Sequence, residues 1–342
     1  MKRIFHTVLV VSVFLAGGCI RPEKQVEEVP VARQDSGRIV VEVGELPFQE
    51  KPLSETDIVL TRELLYDKYT LADEYPYRDT VRRVKWEIVR KSLAFIENMQ
   101  DTRTAWTVFQ NYKNRNGEAP LVHAYKRDVF RRIADTLGVE RYQSVPLYLP
   151  SDTVTPVRYG RDGSLSELMA QTGSFYKVRP VSIEGEWLVP VRYVRLLPDS
   201  VRFHHVIFVD RKDQHIVTLE WKERGSWLIR SVNPATTGLH RPPYGQETPL
   251  GLYLIQEKKE RMVFLKDGSS ATGGYAPYAS RFTNGAYIHG VPVNVPRTAM
   301  IEYSYTLGTT PRSHMCVRNA TSHARFIYEW APVAQSLVVV IE

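Results

Sequence analysis

From Thr80 onward, Val81, Val84, Ile88, Ser92, Phe95 and Met99 recur three and four residues apart. Val89, Leu93 and Ile96 widen that row into a stripe, so the spacing predicts a helix with one buried face. Asp79 or Thr80 is placed to accept the first free N–H groups as its N-cap. Tyr125, Val129, Ile133 and Leu137 repeat every four residues and predict a second helix, with Gly138 as its stop. Residues 55–143 show no chemistry-bearing cluster and read as a helical packing or spacer region.

The pattern changes near Ser144, where short runs of β-branched and aromatic residues replace the helical period. Val145-Pro146-Leu147-Tyr148, Phe175-Tyr176-Lys177-Val178 and Trp187-Leu188-Val189-Pro190-Val191 predict strands, with a turn at Glu184-Gly185. Val206-Ile207-Phe208-Val209, His215-Ile216-Val217-Thr218-Leu219 and Trp227-Leu228-Ile229 continue the series. The C-terminal part predicts a strand over 303–307, a helix over 320–330 and a last strand over 337–341. The expected organisation is a leader over 1–18, a tether over 19–54, the helical region over 55–143, a small β module over 144–199 and a mainly β domain over 200–342.

The leader changes the picture of where the chain works. Lys2 and Arg3 precede an apolar core over 8–15, then Ala16-Gly17-Gly18-Cys19. That core is too short for a transmembrane helix and fits a secretory signal. The run resembles a bacterial lipoprotein signal, which implies lipidation of Cys19 and a cell-envelope, periplasm-facing location. Ile20 after the cysteine gives a slight preference for the outer membrane. Pro22, Pro30 and Pro47 among charges suit a flexible tether. Cleavage would remove Lys2 and Arg3 from a formal net charge of +7. The remaining basic residues are scattered without a stripe, so no nucleic-acid partner is expected.

Two cysteines occur in the 342 residues. With Cys19 lipidated, Cys316 would be a lone thiol in an exported protein, where thiols as a rule pair. It stands in Ser313-His314-Met315-Cys316-Val317-Arg318-Asn319. In extended chain His314 and Cys316 point to one side, so a base would sit beside a thiol, the arrangement a cysteine nucleophile needs. A helix starting near Ala320 would acidify the thiol further. Zinc binding by Cys316, His314 and His289 is the competing reading, weakened by the lack of a second cysteine or a close ligand pair. His323, His204 and His205 read as structural, and Trp221, Trp227 and Trp330 as core or platform residues. No phosphate-binding glycine loop and no glycosidase-type carboxylate pair is visible, so neither cofactor nor metal is expected.

The segment resembles the YkuD-type L,D-transpeptidase domain. The carriers are His289-Gly290, then Ser313-His314-Met315-Cys316-Val317-Arg318-Asn319, with Pro234-Ala235-Thr236-Thr237-Gly238, Thr248-Pro249-Leu250-Gly251 and the stretches 276–282 and 285–290 in order. The resemblance implies a β-sandwich with a short helix after the cysteine. It implies that Cys316 attacks a peptidoglycan stem peptide between its third residue, commonly meso-diaminopimelate, and a terminal D-Ala. His314 would activate the thiol, His289 and Ser313 would shape the pocket, and backbone amides near Met315 and Cys316 would hold the oxyanion. Arg318, Gly290, Met315, Tyr278 and Arg281 would contact substrate. The product is a 3→3 cross-link. Water as acceptor would make an L,D-carboxypeptidase, and a wall-linked protein as substrate an amidase. A wall-binding lipoprotein without catalysis is the remaining alternative. Met315 departs from the family's glycine, and its side chain is expected to leave the turn and lean over the pocket mouth. Residues 145–197 resemble a bacterial SH3-like module.

Overall fold

The computed structural model of the chain describes residues 51–101, 105–112, 145–241 and 245–342, plus the strand course of 28–35, 38–45, 126–127, 133–134 and 143–144. Two compact units are separated between Lys51 and Pro52. In the first, β1 (Glu28–Asp35) pairs antiparallel with β2 (Arg38–Glu45), where the sequence suggested only a tether. Alternating Val29/Val31 and Ile39/Val41/Val43 around Ser36-Gly37 supply a hairpin pattern that the prolines and charges obscured. The leader and Cys19 lie outside the described residues.

The second unit opens with β3 (Val59–Arg62), the hairpin β4 (Glu74–Tyr77) and β5 (Thr80–Arg83), and helix α1 (Trp86–Asp101). The helix starts six residues later than its period suggests, because residues 80–83 pair with β4. Val89, Leu93 and Ile96 form the buried face, while Phe95 is exposed. β6 (Ala105–Phe109) follows, then β7 (Lys126–Arg127) and β8 (Ile133–Ala134), a paired two-residue ladder within the span of the second expected helix, whose Tyr125, Val129, Leu137 and Gly138 lie outside the described residues. The four-residue apolar spacing there also suits short strands, and period alone does not separate the two.

β9 (Gln143–Leu147) pairs with β10 (Arg158–Arg161). β11 (Leu165–Thr172), β12 (Phe175–Pro180), β13 (Trp187–Pro190) and β14 (Val194–Leu196) join β6 in a five-stranded sheet ordered β13-β12-β11-β6-β14. The module therefore recruits a strand from the region expected to be helical.

β15 (His205–Asp210), β16 (His215–Glu223), β17 (Ser226–Pro234) and β18 (Gly251–Leu254) belong to a six-stranded sheet. A second sheet holds β19 (Glu257–Leu265), β20 (Thr272–Thr283), β21 (Ala286–His289), β22 (Val293–Asn294) and β23 (Val317–Arg318). Helix α2 (Thr321–Trp330) and β24 (Ser336–Ile341) end the chain. The first sheet runs β18-β24-β15-β16-β17-β3, with β24 parallel to β15 and β3 parallel to β17. Residues 303–307, expected as a strand, form loop and turn.

Both faces of this sheet are covered, which explains its near-continuous apolar strands. Val206 and Phe208 pack with Val89, Leu93 and Ile96 of α1. The alternate residues Ile207 and Val209 pack with Ile288 and Val317 of the second sheet and Ile327 of α2. The fold is mainly β, a sandwich backed by α1, so residues 55–101 are a layer of this domain and not a spacer. The small module is welded on through buried Asp162. Its carboxylate accepts from the Arg281 guanidinium at 2.5 Å, Gln256 Nε2 at 2.9 Å and Asn111 N–H at 3.1 Å.

Candidate active site

Cys316 is placed by strand pairing on both sides of the residues that follow it. β23 lies parallel to β21, aligning Ile288 with Val317 and His289 with Arg318. On its other side Thr236 and Arg318 exchange both backbone hydrogen bonds at 2.9 Å. The turn before the thiol is pinned separately. Ser313 N–H donates to Thr237 O at 3.1 Å, and Met315 N–H to Gln246 O at 2.8 Å. Thr248 Oγ1 donates to Met315 O at 2.8 Å and accepts from Gly238 N–H at 2.8 Å. The Ser313 hydroxyl closes the turn on the Cys316 carbonyl. A Cβ on Gly238 would fall 2.3 Å from Gln246 O and 2.8 Å from Met315 N, so only glycine allows this close approach.

Met315 has φ of +70°, the left-handed conformation expected of glycine at this place. Its side chain does not lean over the pocket. It is 4% exposed and packs with Ile207, Ile216, Phe282 and Ile288. The left-handed turn also removes the premise that His314 and Cys316 share a side as in a strand. His314 is 53% exposed, with Nε2 3.4 Å from Asp267 Oδ2. The Met315 N–H is committed to Gln246, so it is not an oxyanion donor. Nor does the thiol sit at the start of α2: β23 intervenes, and Glu302 accepts from Ser322 N–H at 3.0 Å at that helix end.

The histidine built into the site is His289. Its ring is buried, and Nδ1 lies 2.6 Å from the Gly290 carbonyl. A carbonyl can only accept, so Nδ1 carries the proton and Nε2 holds a lone pair. Burial lowers the ring's pKa to about 4, opposed by the Gly290 hydrogen bond and assisted by the positive charge of Arg318. The imidazole is therefore neutral at neutral pH. Burial weakens the hold of Arg318 on its proton, a Cys316 thiolate would strengthen it, and Arg312 weakens it further. Arg318 thus lies within electrostatic reach of both Cys316 and His289. The thiol is partly buried, with Sγ 3.5 Å from Gly285 O in the β20–β21 turn.

Two other expected substrate contacts have protein partners of their own. Arg281 is held by Asp162 and by Glu257 at 3.0 Å, with Tyr112 beneath its guanidinium at 5.0 Å, so it joins modules instead of meeting ligand. Tyr278 packs edge-on against Tyr328 at 5.9 Å, with Arg325 5.8 Å from its ring, on α2. Gly290 is tightly enclosed: a Cβ there would lie 2.7 Å from Thr321 Oγ1 and 2.8 Å from Pro277 Cγ. His323, read as structural, is buried between Ser231 Oγ at 2.8 Å and Asn319 Oδ1 at 3.2 Å.

Sequence reasoning gave no role to Gln214, Gln246 or Arg82. Gln214 is fully buried, accepting from Thr237 N–H at 3.0 Å and donating to Thr237 Oγ1 at 2.7 Å. Arg82 of the β4–β5 hairpin donates to Thr309 O at 2.7 Å, steadying the loop that leads into Ser313. The quoted stretches 234–238 and 248–251 did contain Thr236, Thr237 and Thr248, but nothing local marked them as partners of residues 313–318.

Residues 204–341 match the family model of the YkuD L,D-transpeptidase catalytic domain. Among solved structures, the chain is similar to an L,D-transpeptidase from Mycobacterium smegmatis, at 16% identity over 51% of this chain and 80% of that one, TM-score 0.33. It is also similar to L,D-transpeptidase 3 from Mycobacterium tuberculosis with a faropenem-derived adduct, at 17% identity over 54% and 93%, TM-score 0.32. A fused Zn-dependent amidase/peptidase/peptidoglycan-binding protein from Clostridium acetobutylicum aligns at 20% identity over 40% of this chain and 52% of that one, TM-score 0.30. No curated protein matches.

Proposed function

We propose that the chain is a peptidoglycan L,D-transpeptidase in which Cys316 is the nucleophile and His289, not His314, is the base. The observation that carries this reading is the Nδ1–H to Gly290 O bond, which leaves the buried Nε2 as the only basic nitrogen of His289. His289 takes the thiol proton as sulfur attacks the carbonyl of the third stem residue. The tetrahedral intermediate collapses to a thioester, and His289 returns that proton to the departing D-Ala amine. An acceptor amine then attacks the thioester, giving its proton to His289 and restoring the thiol, to leave a 3→3 cross-link. Arg318 Nε is buried without a hydrogen-bond partner. An unpaired donor of this kind costs about 1–3 kcal/mol. A substrate carboxylate would satisfy it with a charge-assisted bond.

In this reading Cys19 carries a lipid and the domain faces the periplasm. Among the described residues no helix is long and apolar enough to cross a membrane. The test is muropeptide analysis after incubation with disaccharide-tetrapeptide. Dimers joined 3→3 support cross-linking. Tripeptides alone would show that water is the acceptor, and an unchanged profile would refute both.

A further inference from the structure

A second cleft, of about 790 Å³, opens where α1, the start of β6 and the β16–β17 hairpin meet. It lies at the opposite end of β16 from the residues that hold Ser313. The β16 end at His215 follows Gln214, which holds the Thr237 that anchors Ser313. Trp221, which lines the cleft, is six residues further along β16, roughly 20 Å away at about 3.3 Å per residue.

The cleft has an aromatic wall that is fixed in place. The rings of Trp221 and exposed His204 stack at 4.8 Å and 17°. Trp221 N–H donates to His204 O at 2.8 Å, and its indole Nε1 to buried Glu97 Oε2 at 3.4 Å. Glu97 is itself held by Trp227 Nε1 at 2.6 Å and Gly225 N–H at 3.0 Å. Gln100 accepts from Phe203 N–H at 2.7 Å, which steadies the linker bearing His204 and Arg202. Trp106 closes the cleft from β6. Such a wall loses little freedom when a ligand arrives.

The charges around it alternate in sign. Asp101 and Asp199 stand with Arg202 and Arg224, and Arg224 reaches Asp101 at 3.4 Å. An anion would meet the carboxylates and a cation the guanidiniums. A neutral ligand with hydroxyls, each both donor and acceptor, suits both. A ligand with an apolar ring face would also cover the aromatic wall. Pyranose sugars have this combination.

We propose that this cleft binds a neutral saccharide, and, resting on the transpeptidase reading, that the saccharide is the amino-sugar strand of peptidoglycan. The cleft lies at the end of β16 remote from Gln214 and the Thr237–Ser313 contacts, so it would anchor the polymer away from the reacting stem. It would lower KM for polymer and leave free stem peptides unaffected.

The test titrates the full chain with chitotetraose, followed by tryptophan fluorescence, beside acylation of Cys316 by free tetrapeptide. Saturable binding at millimolar or lower concentration is expected, weakened at least tenfold in Trp221→Ala and in His204→Ala. Acylation should be unchanged in both. Exposed His204 keeps the test valid if Trp221→Ala fails to fold. No saccharide binding, or equal binding by wild type and His204→Ala, overturns the proposal, as does displacement of the sugar by stem peptide. Saccharide binding in a protein that stem peptide cannot acylate would refute the transpeptidase reading alone.

Discussion

Met315 allows its two burdens to be measured separately. It sits at φ of +70°, and its side chain is 4% exposed in the sandwich core. Met315→Ala keeps the unfavourable φ and removes the buried side chain, a loss of about 2–5 kcal/mol for core methionine truncation. Met315→Gly loses the same packing but relieves a left-handed conformation that costs a residue with Cβ about 1–2 kcal/mol. Glycine's larger unfolded-state freedom takes back roughly 0.5–1 kcal/mol. The glycine variant should therefore be less stable than wild type yet more stable than alanine, by about 0.5–1 kcal/mol on the same principles. Urea unfolding of all three forms at neutral pH, with matching slopes, reads the order directly. An alanine variant at least as stable as the glycine variant would refute the left-handed turn. Both variants within about 0.5 kcal/mol of wild type, the range of surface substitutions, would refute the core placement. Because the side chain faces the core, the donor and acceptor range should be unchanged in Met315→Gly.

Three further outcomes follow from the same geometry. The acid limb of kcat/KM should have its midpoint near the His289 pKa of about 4, because the ring stays an available base until protonated below that value; His289→Gln should abolish acylation, and a limb near 6.5, the free imidazole value, would contradict the buried base. Asp162→Ala should lower unfolding free energy by about 1–3 kcal/mol, because it removes a charged, buried acceptor and leaves Glu257 as the remaining carboxylate on the Arg281 guanidinium, and Arg281→Met in that background should recover part of the loss. Cys19→Ala should move the protein from the membrane fraction to the soluble fraction with unchanged acylation; sedimentation after a high-salt wash would count against lipidation.

The strands of the sandwich were legible because each carries its own pattern: residues 206–209, 215–219 and 337–340 are buried on both faces, as a doubly covered sheet requires. The Cys316 segment and His289 were legible as residue types, but their local geometry was not. Whether His314 or His289 serves the thiol depends on the sign of φ at residue 315 and on a parallel pairing between residues 288–289 and 317–318. Arg281 looked like a ligand contact because its partner Asp162 lies 119 residues away in another module. β3 was missed for the same reason: it is an edge strand that exists through pairing with residues 226–229. Long-range partners leave no local period, so a helix-like spacing at 125–137 could equally belong to strands.

Intact-mass spectrometry of the protein incubated with a carbapenem tests Cys316 as nucleophile and His289 as base in one experiment. One drug mass should be added to wild type, located on Cys316 by peptide mapping, and none to Cys316→Ser or His289→Gln, with all three forms folded. Modification at full rate in His289→Gln but not in His314→Ala would assign the base to His314, and an adduct on Cys316→Ser would remove the thiol from the reaction.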